Sequence, residues 1–417
     1  MQKMAPAAMP VRSPPVWLIV ASAGTIVGIS MGLRQVMGLF LPPMTKELGI
    51  GREAFGLAMA VANLVWGLGS PIAGAVADKW GAGRVVITGA LSTMLGLVLM
   101  WTATSEIVLL VSGVLLGIGI SGAGISSLVG VVGRIVPPER RTSAIAAVGI
   151  GGGVGVLIAL PYTHIVMELL GWKACLLVLA LTATLMLPLA WPLSGKPTVT
   201  STDLPQSLRE ALGEAFSHRS FWLLTSGFFV CGFHLAFYGV HLPAYVSDLG
   251  MPASVAPTAL TLVGISNMIG IWLAGRWGES KPKRYGLTMI YMGRSVVFLG
   301  FLFLPMTPLT VIVLSVLLGF LWLSTVPLTS ALVATFFGPA WMSMLYGFVF
   351  LSHQVGSFLG VWFAGRLFDA TGSYDTMWWL SVALGLFAAI VNWPIKEEPV
   401  ARLRQGAAGA RLMRPAQ

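Results

Sequence analysis

Charge is scarce in this chain. Of its 417 residues only 10% are Asp, Glu, Lys or Arg, where an ordinary soluble domain carries roughly 25%, and a soluble fold is excluded. Cysteine is scarcer still. Cys175 and Cys231 are the only two; both sit in apolar runs without metal-ligand spacing, so they build no disulfide framework and indicate no redox chemistry. No phosphate-cradling loop with its Lys-Ser or Lys-Thr is present, which removes ATP-driven pumping. Every Asp and Glu can be assigned to a loop, a terminus or the end of an apolar run. The membrane interior is thereby left without an acid, and no cofactor or metal is expected.

Hydrophobic sequence is abundant instead, at 56% of the residues. It falls into runs of the length, about 20 residues, that carries one helix across the roughly 30 Å hydrocarbon layer of a bilayer. The pattern predicts an all-α membrane protein with twelve spans, at 17–41, 54–77, 84–103, 107–134, 142–167, 172–194, 220–246, 254–276, 286–304, 308–337, 341–367 and 375–394. Span 1 is too long for a signal h-region and runs into Pro42 and Pro43 instead of a small-residue cleavage site, so it is expected to stay in the mature chain. With loops assigned to alternate sides, 19 of the 25 Lys and Arg fall on one face, Lys46, Arg52, Lys173 and Arg366 on the other, and Arg34 and Arg294 within spans. Basic loops stay in the cytoplasm. Both termini are therefore expected inside, in a bacterial inner (plasma) membrane. The net charge of +10 then reflects orientation against membrane lipid and not a nucleic-acid partner.

The long hydrophilic connector 195–219 divides the chain into an N-terminal six-helix bundle, 1–194, and a C-terminal one, 220–396, followed by a basic tail, 397–417. Within the connector, Leu204, Leu208, Leu212 and Phe216 recur every four residues. They predict an amphipathic helix on the inner membrane surface or, equally, a solvated linker helix. Sliding the second half back by 201 residues superposes Pro42 on Pro243, Leu48-Gly49 on Leu249-Gly250, Gly74 on Gly275, Asp78 on Glu279, Pro138 on Pro339, Gly155 on Gly356, Glu168 on Asp369 and Gly171 on Gly372. An ordered set of turn residues and acids at matching helix ends implies two similar bundles. Parallel repeats of this kind mark secondary transporters, whose substrate site lies between the halves.

After span 2 comes GAVADKWGAGR, Gly74 to Arg84, and after span 8 a degraded copy, GRWGESKPKR, Gly275 to Arg284. The first resembles the signature loop of the major facilitator superfamily at Gly74, Asp78, Lys79, Gly81 and Arg84. The resemblance covers nearly the whole chain. It implies two pseudo-symmetric six-helix bundles around a central cavity lined by spans 1, 4, 7 and 10, and a transporter that works as a monomer. GRLFDATGSY, Gly365 to Tyr374, is similar to the monocarboxylate and oxalate/formate transporter branches. Those branches usually carry a basic residue in span 8, where this chain has none before Arg276, so Arg34 is expected to take over that duty.

The physics of the signature loop is independent of the name. Gly74 allows spans 2 and 11 to approach closely, and Asp78 is suited to accept from the N-terminus of a neighbouring helix. Gating is therefore assigned to Gly74, Asp78, Lys79, Gly81 and Arg84, with Arg140 and Arg141 before span 5 and Glu279 in the second copy; a static salt bridge between Asp78 and Lys79 or Arg84 is the alternative.

Arg34 is the residue that points to chemistry. It lies about 12 Å of helical rise from Pro42, and an Arg at mid-span costs about 2.5–3.5 kcal/mol on insertion scales. With no embedded carboxylate to pair it, a substrate carboxylate is the expected partner, held through the two-pronged geometry of the guanidinium. Gln35, Asn63, Asn267 and Thr325 are further candidate donors. His234, Tyr238 and His241 form a stripe along span 7 that is expected to face Arg34 and to bind substrate, with His234, His241 and His353 as candidate proton carriers. Arg294 lies in a peripheral span, and its role stays open.

These residues predict a secondary transporter of a small organic anion, a monocarboxylate or dicarboxylate, moved with a proton or in exchange for a counter-anion. The Gly-rich segment Gly149 to Gly155 in span 5 supports a second reading, a drug or metabolite exporter, and a non-transporting receptor is a third. An enzyme is not expected, because the spans hold no paired acids, nucleophile and base, or metal cluster.

Overall fold

The computed structural model describes residues 14–48, 52–195, 206–252 and 254–404. Gly49, Leu204 and tail residues 405–417, which figure in the sequence reading, lie outside the described residues. The described chain is helical, with no strand. The helices are α1 (Val16–Gln35), α2 (Leu41–Leu48), α3 (Arg52–Trp80), α4 (Ala82–Trp101), α5 (Glu106–Ala123), α6 (Ile125–Ile135), α7 (Arg141–Thr184), α8 (Met186–Leu189), α9 (Leu208–Ser217), α10 (Arg219–Asp248), α11 (Val255–Ser280), α12 (Lys283–Phe303), α13 (Pro308–Phe320), α14 (Thr325–Phe337), α15 (Met342–Thr371) and α16 (Asp375–Asn392). Among the described residues, eleven helical stretches are long and apolar enough to cross a membrane. The longest, Pro138–Leu189, bends at Gly171, whose φ of 76° lies outside the range L side chains favour. Its arms fold back on each other: the Tyr162 hydroxyl lies 2.9 Å from that of Thr182.

The repeat is visible in packing register. α1 packs on α7 and α10 on α15. A Cβ on Gly155 would strike the Gly28 carbonyl, and a Cβ on Gly356 would strike that of Phe229; both pairs are related by the sequence offset of 201. Gly372 takes the positive φ of Gly171, at 68°. Without a hydrophobic force between helices in lipid, such close backbone approach supplies the packing. Spans 4 and 10 are each discontinuous, broken at Gly124 between α5 and α6 and at 321–324 between α13 and α14.

Across the two halves the packed pairs include α3 with α15, α7 with α11 and α6 with α15, whereas α1 and α10 form no such pair. Along α7 and α11 the clearance widens. A Cβ on Gly275 would lie 2.7 Å from Ala146, one on Gly153 3.2 Å from Met268, and one on Gly264 4.0 Å from Leu157. The halves thus meet at the end that carries the Gly74–Arg84 loop and part toward the other end.

Of the predicted stripe in the connector, α9 keeps Leu208, Leu212 and Phe216. Ser207 and Glu210 close a capping box at its start, which holds the Glu210 carboxyl below its ordinary range. Its buried face is Ala211 and Ala215, while Leu208 and Phe216 are exposed. The helix is clasped by the C-terminal segment, where Arg402 reaches Glu214 at 3.3 Å and the Phe337 carbonyl at 3.1 Å. At the opposite end Glu47 accepts from Lys173 Nζ at 2.5 Å and Trp172 Nε1 at 2.6 Å. These two donors keep its carboxyl below the usual range, so the tie from α2 to α7 is complete at neutral pH and is lost as acid protonates Glu47.

Candidate functional site

At the loop end, Asp78 near the C-terminus of α3 accepts from the Met344 backbone N–H at 2.9 Å and from Arg134 Nη1 at 2.8 Å. Met344 belongs to the first turn of α15, where unpaired N–H groups and the helix dipole favour an anion. Arg134 also donates to the Pro339 carbonyl at 3.3 Å. The Ser343 hydroxyl, 3.0 Å from the Gly130 N–H, donates to the Ser127 carbonyl at 3.3 Å. Spans 2, 4 and 11 are therefore tied across the halves around one carboxylate. Gly74 and Gly130 sit at close approaches: a Cβ on Gly74 would fall 2.4 Å from the Ser343 carbonyl oxygen, and one on Gly130 2.1 Å from the Ser343 hydroxyl. Gly81 turns the chain into α4 at φ 92°.

The other residues expected from the sequence to gate stand apart from this junction. Lys79 lies over the Trp80 ring at 4.7 Å, Arg84 and Arg140 are exposed, and Arg141 lies half-buried at the start of α7. Glu279, the gating candidate of the second copy, is paired within its own helix. Its nearest ion-pair partner is Arg276, one turn away on the same helix at 3.8 Å. The position matching Arg134 by the repeat is Thr335, so the second half has no base to complete an equivalent junction. Gly74→Ala is expected to cost about 1–3 kcal/mol of overpacking at the closed end, lowering its closed population about tenfold. Spin-label distances across the loop end should lengthen; unchanged distances would count against this assignment.

Further from the loop end, Arg34 closes the last turn of α1. Its Nε and Nη2 donate to Asn63 Oδ1 at 3.2 and 3.1 Å, and its Cζ lies 5.1 Å from the Trp66 ring, within cation–π range. Among the described residues Nη1 makes no hydrogen bond, and no carboxylate pairs with the group. Arg34, Gln35 and Asn63 line a cavity of about 290 Å³. The contacts then continue to the other half. Trp66 packs on Phe350 at 4.8 Å, and Phe350 stacks on His353 at 5.4 Å. Gln354 Nε2 reaches the Asn63 carbonyl at 3.4 Å, and its Oε1 lies 3.1 Å from His353 Nδ1. Of the three candidate proton carriers, His353 is the one linked to Arg34 in this way.

The span 7 stripe does not face Arg34, which corrects the expectation for His234, Tyr238 and His241. His234 is 0% exposed, with Nε2 2.9 Å from the Ser381 carbonyl of α16 and its ring 4.8 Å from Phe298. Tyr238 is 0% exposed and lies 2.5 Å from the Ser315 hydroxyl of α13. His241 meets the Tyr374 hydroxyl at 3.0 Å and the Val361 carbonyl at 3.2 Å. The physical reason is the aromatic core of the C-terminal half, Phe237, Phe298, Phe301 and Trp378, which packs around these rings while carbonyls and hydroxyls meet His234 Nε2, the Tyr238 hydroxyl and both ring nitrogens of His241.

Asn267 and Thr325 are likewise not at the Arg34 cavity. Asn267 Oδ1 accepts from the Leu323 N–H at 2.9 Å, and Thr325 lies 3.4 Å from Cys231 Sγ. Both belong to the break between α13 and α14. Arg294 completes that break: it donates to the Leu321 carbonyl from Nη2 at 2.7 Å and from Nε at 3.2 Å, and to the Trp322 carbonyl. A broken helix strands backbone groups that lipid cannot satisfy; Arg294 supplies donors for the Leu321 and Trp322 carbonyls, and Asn267 an acceptor for the Leu323 N–H.

Sequence reasoning did not single out Trp66, Phe350 or Ser343, and it counted Arg134 as a topology residue. No local signal marks them, since each acts on a partner more than 50 residues away.

The family described as Major Facilitator Superfamily matches residues 20–361. Among curated proteins, mouse "Monocarboxylate transporter 11" is 27% identical over 301 residues, spanning 68% of this chain and 65% of its own length. Rat "Monocarboxylate transporter 13" is 26% identical over 377 residues, or 86% and 83% of the two chains. The chain thus spans less than two thirds of the first of these relatives. Among solved structures, the E. coli fucose:proton symporter FucP superposes with a TM-score of 0.71 at 17% identity, over 91% of this chain and 98% of that one. The human organic anion transporter MFSD10 (TETRAN) does so with a TM-score of 0.69 at 15% identity, over 91% and 100%. These likenesses establish the shared fold.

Proposed function

Because this chain belongs to the Major Facilitator Superfamily, a family of integral membrane transporters, we propose that it carries a small organic anion by alternating access, with Arg34 holding the substrate carboxylate. The observation that carries this reading is the state of Arg34: a guanidinium on a cavity wall that, among the described residues, is tied to a neutral amide and an indole face with no hydrogen bond at Nη1. In low dielectric such a cation favours an anion strongly, and the planar fork selects a carboxylate. The names of the monocarboxylate transporter relatives agree with this choice. In this reading the chain makes twelve crossings with both termini cytoplasmic. The basic loop end is then the inner end, and the described state is open outward. His353, joined to the site through Gln354 and Phe350, is the group that takes up a coupling proton; anion exchange is the alternative mode.

The test is uptake by proteoliposomes of the purified protein. Labelled monocarboxylates should enter saturably, other carboxylates should compete, and matched neutral alcohols should not. An inward proton gradient should accelerate uptake if coupling is symport, whereas preloaded carboxylate should do so if coupling is exchange. Saturable flux of neutral or cationic apolar compounds without carboxylate flux would favour the exporter reading. Carboxylate binding without net flux would favour a receptor.

A further inference from the structure

The cavity at Arg34 extends well beyond the guanidinium, and its direction is informative. Its polar lining is Arg34 and Ser30, one turn apart on α1, with Gln35, Asn63 and, deeper on α4, Thr93; the rest is apolar, including Phe55 and Met59 of α3, Leu97 of α4 and Leu116 of α5. All four helices belong to the N-terminal half. Gln35 and Gly38 at one side of the cavity are exposed, whereas Leu97 and Leu116 are buried. The space therefore runs from an open, polar mouth into a closed and largely apolar interior of one bundle, where Thr93 is the polar exception. Ser30 adds an independent sign of a ligand: it lines the cavity, and its buried hydroxyl has no hydrogen-bond partner among the described residues.

The geometry points to a subsite for the apolar body of a monocarboxylate of about six to nine carbons, such as a branched-chain or phenyl-substituted acid, inside the N-terminal half. The inference rests on the proposed role of Arg34 as the carboxylate anchor and adds what the rest of the molecule must be. A volume of about 290 Å³, at roughly 30 Å³ for each water-sized unit, holds about ten non-hydrogen atoms. Acetate or lactate would leave most of it unfilled, and contacts forfeited across a void are lost outright. A dicarboxylate would carry its second charge into a wall of Phe, Met and Leu with no cation to receive it. With its carboxylate on Arg34 Nη1 and Ser30 Oγ, a monocarboxylate leaves an apolar tail to displace poorly held water from the interior.

A straight-chain series from acetate to decanoate competing for uptake by the wild-type protein tests this directly. Affinity should rise about two- to fourfold per methylene up to roughly eight or nine carbons and then level or fall. A series that is flat from two to eight carbons would overturn the subsite. Leu97→Phe, which fills the interior, should raise the KM for phenylacetate at least tenfold relative to that for acetate. The ratio is the readout, so a loss of folded protein, which lowers both rates together, does not mimic the effect. An unchanged ratio in Leu97→Phe that retains acetate uptake would also overturn it. Failure of the anchor itself is distinguishable: uptake of acetate and phenylacetate would both survive Arg34→Gln.

Discussion

Arg34→Gln is expected to reduce the affinity for a transported monocarboxylate by about 100-fold while leaving the fold intact. A hydrogen bond to a charged group contributes about 1.5–3 kcal/mol, and a guanidinium presents two in parallel to a carboxylate. Loss of the fork and of its charge therefore amounts to roughly 3 kcal/mol, or two decades in binding. Folding should tolerate the change for two reasons. Arg34 is only half-buried, and Gln retains a donor for Asn63 Oδ1, which Arg34 now reaches at 3.1 Å. Arg34→Lys keeps the charge but cannot span both carboxylate oxygens, so an intermediate loss is expected. Asn63→Ala removes the amide that positions the guanidinium and should weaken binding less than Arg34→Gln. Uptake and competition assays on the three variants give the order; carboxylate affinity unaltered by Arg34→Gln would refute the proposed anchor.

The second large effect concerns stability. Arg294 is 0% exposed and bonds the carbonyls of Leu321 and Trp322 at the break in span 10. In separated helices the same side chain faces lipid at a cost of about 2.5–3.5 kcal/mol; docked, it is satisfied by those carbonyls, so its presence drives α12 onto the break. Arg294→Leu removes that drive and leaves buried acceptors without a donor, each costing about 1–3 kcal/mol. A destabilisation of about 3–5 kcal/mol is expected, with Arg294→Lys intermediate because one ammonium replaces a planar fork. Thermal unfolding in detergent reports it. An unchanged transition in Arg294→Leu would show that the break is held by Asn267 and packing instead.

Much of the architecture was legible because membrane helices announce themselves by length and because backbone geometry demands particular residues. Gly171 and Gly372, 201 apart, both turn at positive φ; Gly155 and Gly356 both bring helices to backbone contact. Asp78 was legible as an acceptor for a helix N-terminus, since an acid at a span end next to a small residue has few other uses. The rotation of α10 was not. Apolar residues surround that helix on all sides, so the i, i+4, i+7 spacing of His234, Tyr238 and His241 defines a face without saying what it meets. Only the aromatic cluster around Trp378, assembled from distant helices, decides that these rings point into the C-terminal half. Arg294 was ambiguous for a related reason. A lone cation in a span signals an unmet need, and the need proved to be two main-chain carbonyls exposed by a break that Ser324 and Thr325 alone do not advertise.

The loop-end junction has a consequence for ion tightness. It is built from glycine-mediated backbone contact, one carboxylate at a helix terminus and the adjacent Ser343 hydroxyl between Gly130 and Ser127, all gathered at the first turn of α15. Loosening Asp78 from Met344 also withdraws the partner of Arg134 and with it the bond to Pro339. The seal should therefore yield in a single concerted event, with few half-parted states in which a file of water could thread the protein and let protons run down their gradient uncoupled from cargo.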